Sequence, residues 1–582
     1  MNRARGASVI SRFFSNIHHN PARSVHILNS NNVLNSCGLG RTGRIGAATP
    51  LQQWVRLMSI ISSNFPDTKL SDITLPQYVM GDFDKYGDLV ALVDGPSGRS
   101  YKFSQIPQLV KNVGSAFTRL GLKKGDVVCL YLPNLPEYPI TLLGVTNIGG
   151  IATTANPAYT ADELLYQLRD STAKYLVTVG PILEAAKAAA EEYGKLEDIY
   201  VIGGGGEGCK DFADLMKDDG SAFPHDMEVD IDDVAVLPYS SGTTGLPKGV
   251  ELTHRNLVQN MQMANAEREL IYSSTEDTSI SVLPFFHIYG MMPVMSLLLR
   301  NGTKLVTMPK FDPEEYLSLI QQYKASFLCI VPPIALFLAK HPVVEKFDLS
   351  SVRDVICAAA PLSEAMEAAL VQRIGKIVRQ GYGLTETSPV SHLCPLDHKG
   401  KTGSIGLLLP NSKAKIVDVE TREELGLNQD GELVLAGPHI MKGYHGNQEA
   451  TDHCIKDGWF FTGDIGHVDA DGYFYVVDRL KELIKYKGFQ VPPAELEGLL
   501  LTHPSIADAA VIGVADESAG ELPKAFVVLK PNSDTTEEDI VKFVEERVAY
   551  YKQLRGGVEF LTDIPKAASG KILRRILRAR SS

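Results

Sequence analysis

The chain has 582 residues, of which 44% are hydrophobic and 22% are charged, an ordinary composition for a globular protein that excludes a fibrous or wholly disordered chain. This length exceeds what one hydrophobic core usually supports, so we expect two or more domains. The formal net charge of −12 argues against a nucleic-acid-binding protein, and no apolar run reaches the roughly 18 residues of a transmembrane helix.

The N-terminal segment differs in composition from the rest of the chain. Residues 1–66 contain seven arginines but no lysine, aspartate or glutamate, and an arginine-rich, serine-rich, acid-free segment is typical of a mitochondrial presequence. We therefore predict that residues 1–62 are a presequence. The alternatives are a disordered tail or translation from Met58, with a cytoplasmic or peroxisomal location, although the chain ends in RARSS rather than in the S-K-L peroxisomal signal.

Between residues 63 and 478, stretches with helical apolar spacing alternate with short apolar runs. The spacing predicts helices over 105–120, 161–168 and 314–323, followed by strands over 127–132, 175–179 and 327–331. Helices that alternate with short apolar strands imply parallel sheets covered by helices on both faces. The sequence therefore predicts a large α/β domain.

The C-terminal part, residues 479–582, has its own set of predicted elements. Helical spacing covers 494–501 and 537–548, and apolar runs at 508–514 and 526–529 indicate strands. About one hundred residues with their own helices and strands are enough for a small domain. We predict a small α+β domain.

The strongest functional signal is the segment 239–250, which reads YSSGTTGLPKGV. It follows the apolar run 234–237 and precedes a helix-like stretch from His254, which predicts a strand–loop–helix unit. Glycines let the backbone turn tightly and bring several N–H groups to one anion, and hydroxyls and a lysine add further donors. The segment does not match GxxxxGK[ST]. It is therefore predicted to be a phosphate loop of another kind, with a polar surface loop as the alternative.

Five later segments carry further candidate motifs: 380–387 (QGYGLTET), 459–464 (WFFTGD), 478–482 (DRLKE), 485–497 (KYKGFQVPPAELE) and 565–575 (PKAASGKILRR). Together with the loop, and in this order, they resemble the signature motifs of the adenylate-forming superfamily. That superfamily comprises acyl-CoA synthetases, 4-coumarate–CoA ligases and beetle luciferases, and the sequence is most similar to the 4-coumarate–CoA ligases. The resemblance covers roughly residues 63–580 and implies a large adenylation domain followed by a small, mobile domain.

The resemblance implies the following ATP-binding residues: Ser240, Ser241, Gly242, Thr243, Thr244 and Lys248 for pyrophosphate, Gln380, Gly381, Tyr382 and Thr385 for adenine, and Asp464 and Arg479 for ribose. Glu386 would hold Mg²⁺, a hard ion that prefers carboxylate and phosphate oxygens. Lys571 would contact the carboxylate and the α-phosphate, and the implied catalytic set is Lys571, His287, Thr385 and Glu386. Each of these residues has a simpler alternative interpretation when it is considered alone. Lys571 would be one cation of a solvated tail, Asp464 a turn-forming residue and Glu386 a helix cap.

The acyl pocket is implied by resemblance as well. His287 follows an apolar run, so a buried structural role is its default interpretation, but in related enzymes a histidine in this context orients the acyl carboxylate. The other implied pocket residues are Tyr289, Ala358, Ala359, Ala360, Tyr382, Pro389 and Val390. Cys357, Ala358 and Ala359 stand where many relatives carry Ser-Gly-Gly or Ser-Gly-Ala, so the additional methyl groups would narrow the pocket.

For the second half-reaction, the resemblance implies that the small domain rotates about Asp478, the hinge. Rotation would withdraw Lys571 and present Lys485, Lys487, Gly488 and Gln490 to coenzyme A or to the adenylate. Binding of ATP in one state and CoA in the other would bias such an equilibrium. A solvated basic turn is the alternative for these residues.

These features favour an ATP-dependent acid–thiol ligase that forms an acyl-AMP and then an acyl-CoA. ATP, Mg²⁺, CoA and a small carboxylic acid are the implied ligands, whereas the acid stays open between an aromatic, cinnamate-like acid and a medium-chain fatty acid. The alternatives are a luciferase-like oxygenase, a non-catalytic sensor of acyl-adenylates and a domain that loads a carrier protein. The sequence does not indicate the oligomeric state.

Overall fold

The computed structural model describes residues 60–224, 228–240, 247–267, 270–397, 401–487, 489–516, 518–567 and 570–581. Five predicted site residues, Ser241, Gly242, Thr243, Thr244 and Gly488, lie outside these ranges, as do residues 1–59, so the presequence stays a prediction. Within the described ranges, every helix is too short or too polar to span a bilayer.

The strands before residue 480 are β1 (Ile61–Ser62), β2 (Val90–Asp94), β3 (Ser100–Lys102), β4 (Val127–Tyr131), β5 (Ile151–Ala155), β6 (Tyr175–Val179), β7 (Asp198–Ile202), β8 (Lys210–Asp211), β9 (Val234–Ser240), β10 (Lys248–Thr253), β11 (Thr278–Ser281), β12 (Lys304–Thr307), β13 (Phe327–Ile330), β14 (Asp354–Cys357), β15 (Val378–Gly383), β16 (Val390–Leu393), β17 (Leu407–Leu408), β18 (Lys413–Val417), β19 (Gly431–Ala436), β20 (Gly443–Tyr444), β21 (Ile455–Lys456), β22 (Trp459–Val468) and β23 (Phe474–Arg479). The later strands are β24 (Ile484–Tyr486), β25 (Phe489–Val491), β26 (Ile506–Asp516), β27 (Gly520–Leu529) and β28 (Val558–Phe560).

The α-helices are α1 (Leu75–Met80), α2 (Phe83–Tyr86), α3 (Ile106–Arg119), α4 (Glu137–Thr146), α5 (Ala161–Ser171), α6 (Leu183–Tyr193), α7 (Phe212–Met216), α8 (His254–Ala264), α9 (Leu298–Arg300), α10 (Pro313–Tyr323), α11 (Pro332–Lys340), α12 (Glu364–Ile374), α13 (Gln448–Cys454), α14 (Pro493–Leu500), α15 (Glu537–Glu545) and α16 (Arg574–Ser581). A π-helix spans Gly290–Leu297, and short 3₁₀ turns span Gly180–Ile182, Pro342–Lys346, Thr385–Thr387 and Tyr550–Lys552.

The first large sheet contains eight strands in the order β20-β10-β9-β5-β4-β6-β7-β8. Strands β9, β5, β4, β6, β7 and β8 run parallel. All five residues of the central strand β4 are buried, which follows from its apolar sequence and from helices that cover both faces. The predicted α/β class, with a large N-terminal domain of parallel sheets, is confirmed.

The large domain contains three further sheets, the third of which is antiparallel. Strands β11-β12-β2-β3 form one sheet and β13-β14-β15-β16-β17 another, with β11, β12 and β2 parallel in the first and β13, β14 and β15 parallel in the second. A six-stranded sheet follows, in the order β1-β18-β19-β22-β21 with β23 beside β22. The parallel strands place their carboxyl ends, and the loops after them, at one edge of each sheet.

The small domain has its own sheet and its own hydrophobic core. Strands β25-β24-β27-β26 are neighbours in that order, with β28 beside β27. Ile484, Leu496, Val511 and Val544 belong to a buried cluster that is separate from the core of the large domain. A smaller C-terminal α+β domain is therefore present as predicted, whereas its exact boundary at residues 478 and 479 stays a prediction.

The strand–loop–helix prediction for this segment left out one element. Residues 248–253 form the strand β10, which pairs antiparallel with β9 and places Lys248 opposite Ser240. Val250 and Leu252 are fully buried on either side of the half-buried Glu251. Helix α8 begins at His254, as predicted.

The large domain contains a buried ion pair beside the site strand β15. Arg379 is 0% exposed and its partner Asp354 on β14 is 1% exposed. Arg379 Nε donates to Asp354 Oδ1 at 3.0 Å and Nη2 donates to Oδ2, while Nη1 donates to the carbonyls of Leu270 and Cys394 at 2.6 and 2.9 Å. The Arg379 guanidinium and the Asp354 carboxylate therefore form a two-point, charge-assisted pair inside the protein.

Replacing Arg379 by methionine should lower the free energy of unfolding by about 3–5 kcal/mol, because the Asp354 carboxylate is then buried without its counter-charge. Urea denaturation followed by circular dichroism measures this change. In the double variant Arg379→Met with Asp354→Leu, no charge is left buried, so most of the stability should return. A double variant as unstable as the single one would contradict this account.

Candidate active site

The predicted site residues gather at the carboxyl ends of parallel strands. The phosphate loop follows β9, Ala358 follows β14, and the 3₁₀ turn with Glu386 follows β15. This is the edge at which open α/β sheets bind ligands, because the connecting loops open a crevice there. The sequence motifs are therefore brought together by the chain topology, although they are far apart along the chain.

Glu386 is the centre of a first cluster. Its side chain is 8% exposed, and its Oε1 accepts hydrogen bonds from Ser240 Oγ at 3.2 Å and from the Tyr444 hydroxyl at 2.9 Å. The Lys248 ammonium lies 5.0 Å from the centre of the Tyr444 ring. One carboxylate, one ammonium and two hydroxyls thus lie where the phosphate loop leaves β9 and enters β10.

Asp464 is the centre of a second cluster. It is 3% exposed, its Oδ2 accepts the Tyr382 hydroxyl at 2.6 Å, and its Oδ1 lies 3.2 Å from Arg479 Nε. Arg479 and Asp464 are direct partners across strands β22 and β23. Burial and the adjacent carboxylate raise the pKa of Tyr382 well above its ordinary value, so its hydroxyl keeps its proton and donates.

Lys571 belongs to the small domain but contributes to the environment of the large-domain site. Burial and, to a smaller extent, the Arg479 charge lower the pKa of Lys571 to about 8, and the Asp464 carboxylate partly opposes this shift. The turn that carries it packs tightly on the large domain, because a methyl group on Gly570, whose φ is +81°, would lie 2.8 Å from Pro333 Cδ. Only glycine fits this approach, so Gly570 allows Lys571 to reach the site.

His287 is held as a neutral donor. Its Nδ1 accepts the backbone N–H of Tyr289 at 3.3 Å, which leaves the proton of the neutral ring on Nε2. Burial and, to a smaller extent, the nearby Lys571 ammonium lower the pKa of His287 to about 4. At neutral pH the ring therefore offers an N–H group without a positive charge, which suits orientation of a carboxylate rather than general acid catalysis.

The acyl-pocket candidates differ in exposure. Tyr289 and Pro389 are buried, Ala358, Ala360 and Val390 are half-buried, and Ala359 is exposed with a φ of +75°. The Tyr289 hydroxyl donates to the carbonyl of Ile356 on β14 at 3.1 Å. Tyr289 thereby fixes its ring against the strand that leads into the three alanines.

The adenine candidates are divided between the cleft and the protein interior. Gly381, Tyr382 and Thr385 are half-buried, but the side chain of Gln380 is 4% exposed. Gln380 Nε2 donates to the Leu362 carbonyl at 3.1 Å and to Glu367 Oε2 at 3.0 Å. Its amide therefore holds the start of α12 in place, and its role toward ATP stays a prediction.

The hinge and the CoA candidates lie in different surroundings. Asp478 is 6% exposed, and its carboxylate accepts the backbone N–H groups of Arg479 at 2.7 Å and Ala494 at 2.9 Å, so it caps α14 of the small domain. Burial raises its pKa to about 6. Lys485 and Lys487 are exposed to solvent on the β24–β25 hairpin, which also contains Gln490, whereas Lys571 is partly covered at the site.

Tyr444 was missed by sequence reasoning. It lies on β20, where it pairs with Val250 of β10, and this pairing brings its hydroxyl to Glu386. The segment around it, GYH, has no feature that separates it from an ordinary turn. Only the pairing of two strands distant in sequence reveals the contact.

Comparison with known proteins gives consistent results. A model of the AMP-binding enzyme family matches residues 82–445, and one of the AMP-binding enzyme C-terminal domain matches residues 495–571. The 4-coumarate–CoA ligase 2 of Petroselinum crispum is 45% identical over 526 residues, covering 88% of this chain and 96% of that protein. The probable 4-coumarate–CoA ligase 1 of Dictyostelium discoideum is 41% identical over 542 residues, covering 90% and 98%.

Solved structures are similar as well. The anthranilate CoA ligase AuaEII in complex with anthranoyl-AMP has a TM-score of 0.81 and 27% identity, covering 88% of this chain and 98% of that chain. The fold and the site thus define an AMP-forming acid–thiol ligase, an enzyme that uses ATP to join an acid to a thiol. The chain belongs to the AMP-binding enzyme family, whose model matches more than half of its residues.

Proposed function

We propose that this enzyme converts a cinnamate-like aromatic acid to its acyl-AMP and then to its CoA thioester. One observation carries the adenylation step: Lys571 of the small domain shares its electrostatic environment with Asp464, Arg479 and His287 of the large domain. Cationic and hydrogen-bonding groups from both domains therefore converge where the acid and the α-phosphate must meet.

In the proposed first step, a carboxylate oxygen of the acid attacks the α-phosphorus of ATP. The bond between the α-phosphorus and the bridging oxygen breaks, and pyrophosphate leaves with its electron pair. His287 Nε2–H orients the carboxylate, and the Lys571 ammonium stabilises the negative charge that accumulates on the α-phosphate oxygens. Preorganised charges of this kind are usually the largest contribution to catalysis.

The base of the phosphate loop fits a magnesium ion. Glu386 Oε1 accepts two hydroxyl hydrogen bonds, so the carboxylate is fixed in position. Mg²⁺ commonly binds through one carboxylate together with waters and substrate phosphates. We propose that Glu386 holds this ion and that Lys248 binds the pyrophosphate; a bound Mg²⁺ would neutralise part of the phosphate charge.

In the proposed second step, the CoA thiolate attacks the acyl carbon and AMP leaves. Rotation about Asp478 would remove Lys571 and bring the hairpin with Lys485 and Lys487 to the adenylate. The solvent exposure of both lysines in the present orientation supports this proposal, because two exposed cations are available for the phosphates of CoA.

The aromatic substrate class is supported by two features. The relatives with 41% and 45% identity carry the name 4-coumarate–CoA ligase. In addition, the Tyr289 ring is held in place by the hydrogen bond from its hydroxyl to the Ile356 carbonyl, and a planar acyl group would pack well against an aromatic face. The methyl groups of Ala358 and Ala359 would narrow the pocket relative to glycines at these positions.

A panel of acids tests the substrate class. The enzyme is incubated with ATP, Mg²⁺, CoA and either hydroxycinnamates, benzoates or fatty acids of graded length, and AMP release and thioester formation are measured. We expect kcat/KM for the hydroxycinnamates to exceed that for medium-chain fatty acids by at least about tenfold. A difference of this size corresponds to the gain or loss of one apolar contact between substrate and pocket. A preference for fatty acids would contradict the proposal.

A further inference from the structure

Helix α8 connects the phosphate-loop hairpin to two other segments of the site. It begins directly after β10, and two of its asparagines, one helical turn apart, are buried: Asn256 is 7% exposed and Asn260 is 1% exposed. Buried amides of this kind are costly unless their hydrogen-bonding groups are satisfied. Both side chains are satisfied by backbone groups of the site.

Asn260 holds the start of strand β16. Its Nδ2 donates to the Val390 carbonyl at 2.6 Å, and its Oδ1 accepts the Val390 backbone N–H at 3.1 Å. This reciprocal pair is the one that a neighbouring strand would make with Val390. The side chain of Asn260 therefore replaces a strand partner at the residue that is expected to line the acyl pocket.

Asn256 holds a different segment. Its Nδ2 donates to the carbonyls of Pro438 and Ile440 at 2.9 and 2.8 Å, and its Oδ1 accepts the backbone N–H of Thr253 at 3.1 Å. The next residue along, Met441, donates its N–H to the Glu386 carbonyl at 2.9 Å. Both N–H groups of the Asn256 amide thus hold the 438–441 segment, which in turn is hydrogen-bonded to the Glu386 backbone.

The same segment carries the hydroxyl that fixes the Glu386 side chain, since Tyr444 follows it on β20. Glu386 and Val390 lie four residues apart, so the two asparagines secure both ends of one short stretch. Asn256 acts on the metal and phosphate end through the 438–441 segment, and Asn260 acts on the acyl end directly.

We infer that Asn256 and Asn260 are separate positioning residues, Asn256 for the ATP side of the site and Asn260 for the acyl side. The inference rests on the proposed roles of Glu386 and Val390. Neither asparagine lies in the phosphate loop, and both act through the backbone of other residues. Loss of Asn256 should mainly raise KM for Mg·ATP, and loss of Asn260 should mainly raise KM for the acid. The reason is that each asparagine holds a different end of the site, so its removal displaces the residues at that end more than those at the other.

Steady-state kinetics of three alanine variants test this inference, with the acid that the wild-type enzyme turns over best. Asn260→Ala should raise KM for the acid about tenfold and leave KM for Mg·ATP within about twofold. Asn256→Ala should show the reverse pattern. Gln262→Ala is the matched control, because Gln262 lies on the same helix and its Oε1 accepts the Ser71 N–H at 2.9 Å, away from Glu386 and Val390; both constants should stay within about twofold.

Asn260→Leu separates positioning from space filling, since leucine has a similar volume but cannot bond to Val390. It should be impaired as strongly as Asn260→Ala. Wild-type behaviour of Asn260→Leu, or equal rises of both constants in the two asparagine variants, would overturn the inference. The constants are compared with those of the wild-type enzyme for the same acid, so a wrong substrate class would appear in the acid panel and leave this comparison intact. Calorimetric binding of Mg·ATP gives the Asn256 result without any acid.

Discussion

Replacing Lys571 by alanine should slow adenylation of the acid by about 10²- to 10³-fold, the usual cost of removing one preorganised stabiliser of transition-state charge. Transfer of a supplied acyl-AMP to CoA should change little. The reason is that Lys571 reaches the site from the small domain through a turn that packs on Pro333, and the proposed rotation removes it before the thiol attacks. Acid-dependent exchange of labelled pyrophosphate into ATP measures the first step, and thioester formation from acyl-AMP measures the second.

The pH dependence of adenylation provides a check on the same residue. Because the pKa of Lys571 is about 8, the ammonium is mostly present at pH 7 and is lost as the pH rises above 8. The exchange rate should therefore fall on the alkaline side, and this fall should be absent from Lys571→Ala. Lys566→Ala is the control, because Lys566 lies near the same turn but pairs with Asp508. Equal losses in both half-reactions of Lys571→Ala would contradict the assignment.

Much of the fold could be predicted from local sequence. The strand at Tyr175–Val179 has the predicted bounds, and the predicted helix over 314–323 is α10, which starts one residue earlier. These elements are set by their own apolar spacing, and the N-cap Asp312 marks where α10 begins. The strand β10 was not predicted, because it is defined by its pairing with β9 and β20 rather than by a pattern in its own sequence.

The site could be predicted only in part, for the same reason. Asp464 and Arg479 belong to short motifs, so their identities were readable, and their pairing across β22 and β23 confirms that they lie together. The contacts of Tyr444, Asn256 and Asn260 depend on which distant strands meet. Gln380 is the reverse case, because its motif predicts a contact with the ligand. In the structure its side-chain amide is instead hydrogen-bonded in the protein interior, to Leu362 and Glu367.

Replacing Asp464 by asparagine should impair both half-reactions, in contrast to Lys571→Ala. Asparagine keeps the shape of the side chain but removes the charge that Arg479 faces at 3.2 Å and that would accept the ribose hydroxyls. A hydrogen bond to a charged group contributes about 1.5–3 kcal/mol, so we expect KM for ATP to rise roughly 10- to 100-fold. The ribose remains part of the adenylate, and thioester formation from supplied acyl-AMP should therefore suffer similarly.

Tyr382→Phe is the matched control for Asp464→Asn. It removes the hydroxyl that donates to Asp464 Oδ2 at 2.6 Å but leaves the carboxylate and its pair with Arg479 in place. Since one neutral donor is lost and the charge is kept, KM for ATP should rise by less than about tenfold. If Asp464→Asn slowed only adenylation, the carboxylate would act on the leaving pyrophosphate rather than on the ribose. If Tyr382→Phe were the more damaging change, the hydroxyl and not the carboxylate would be the ribose contact.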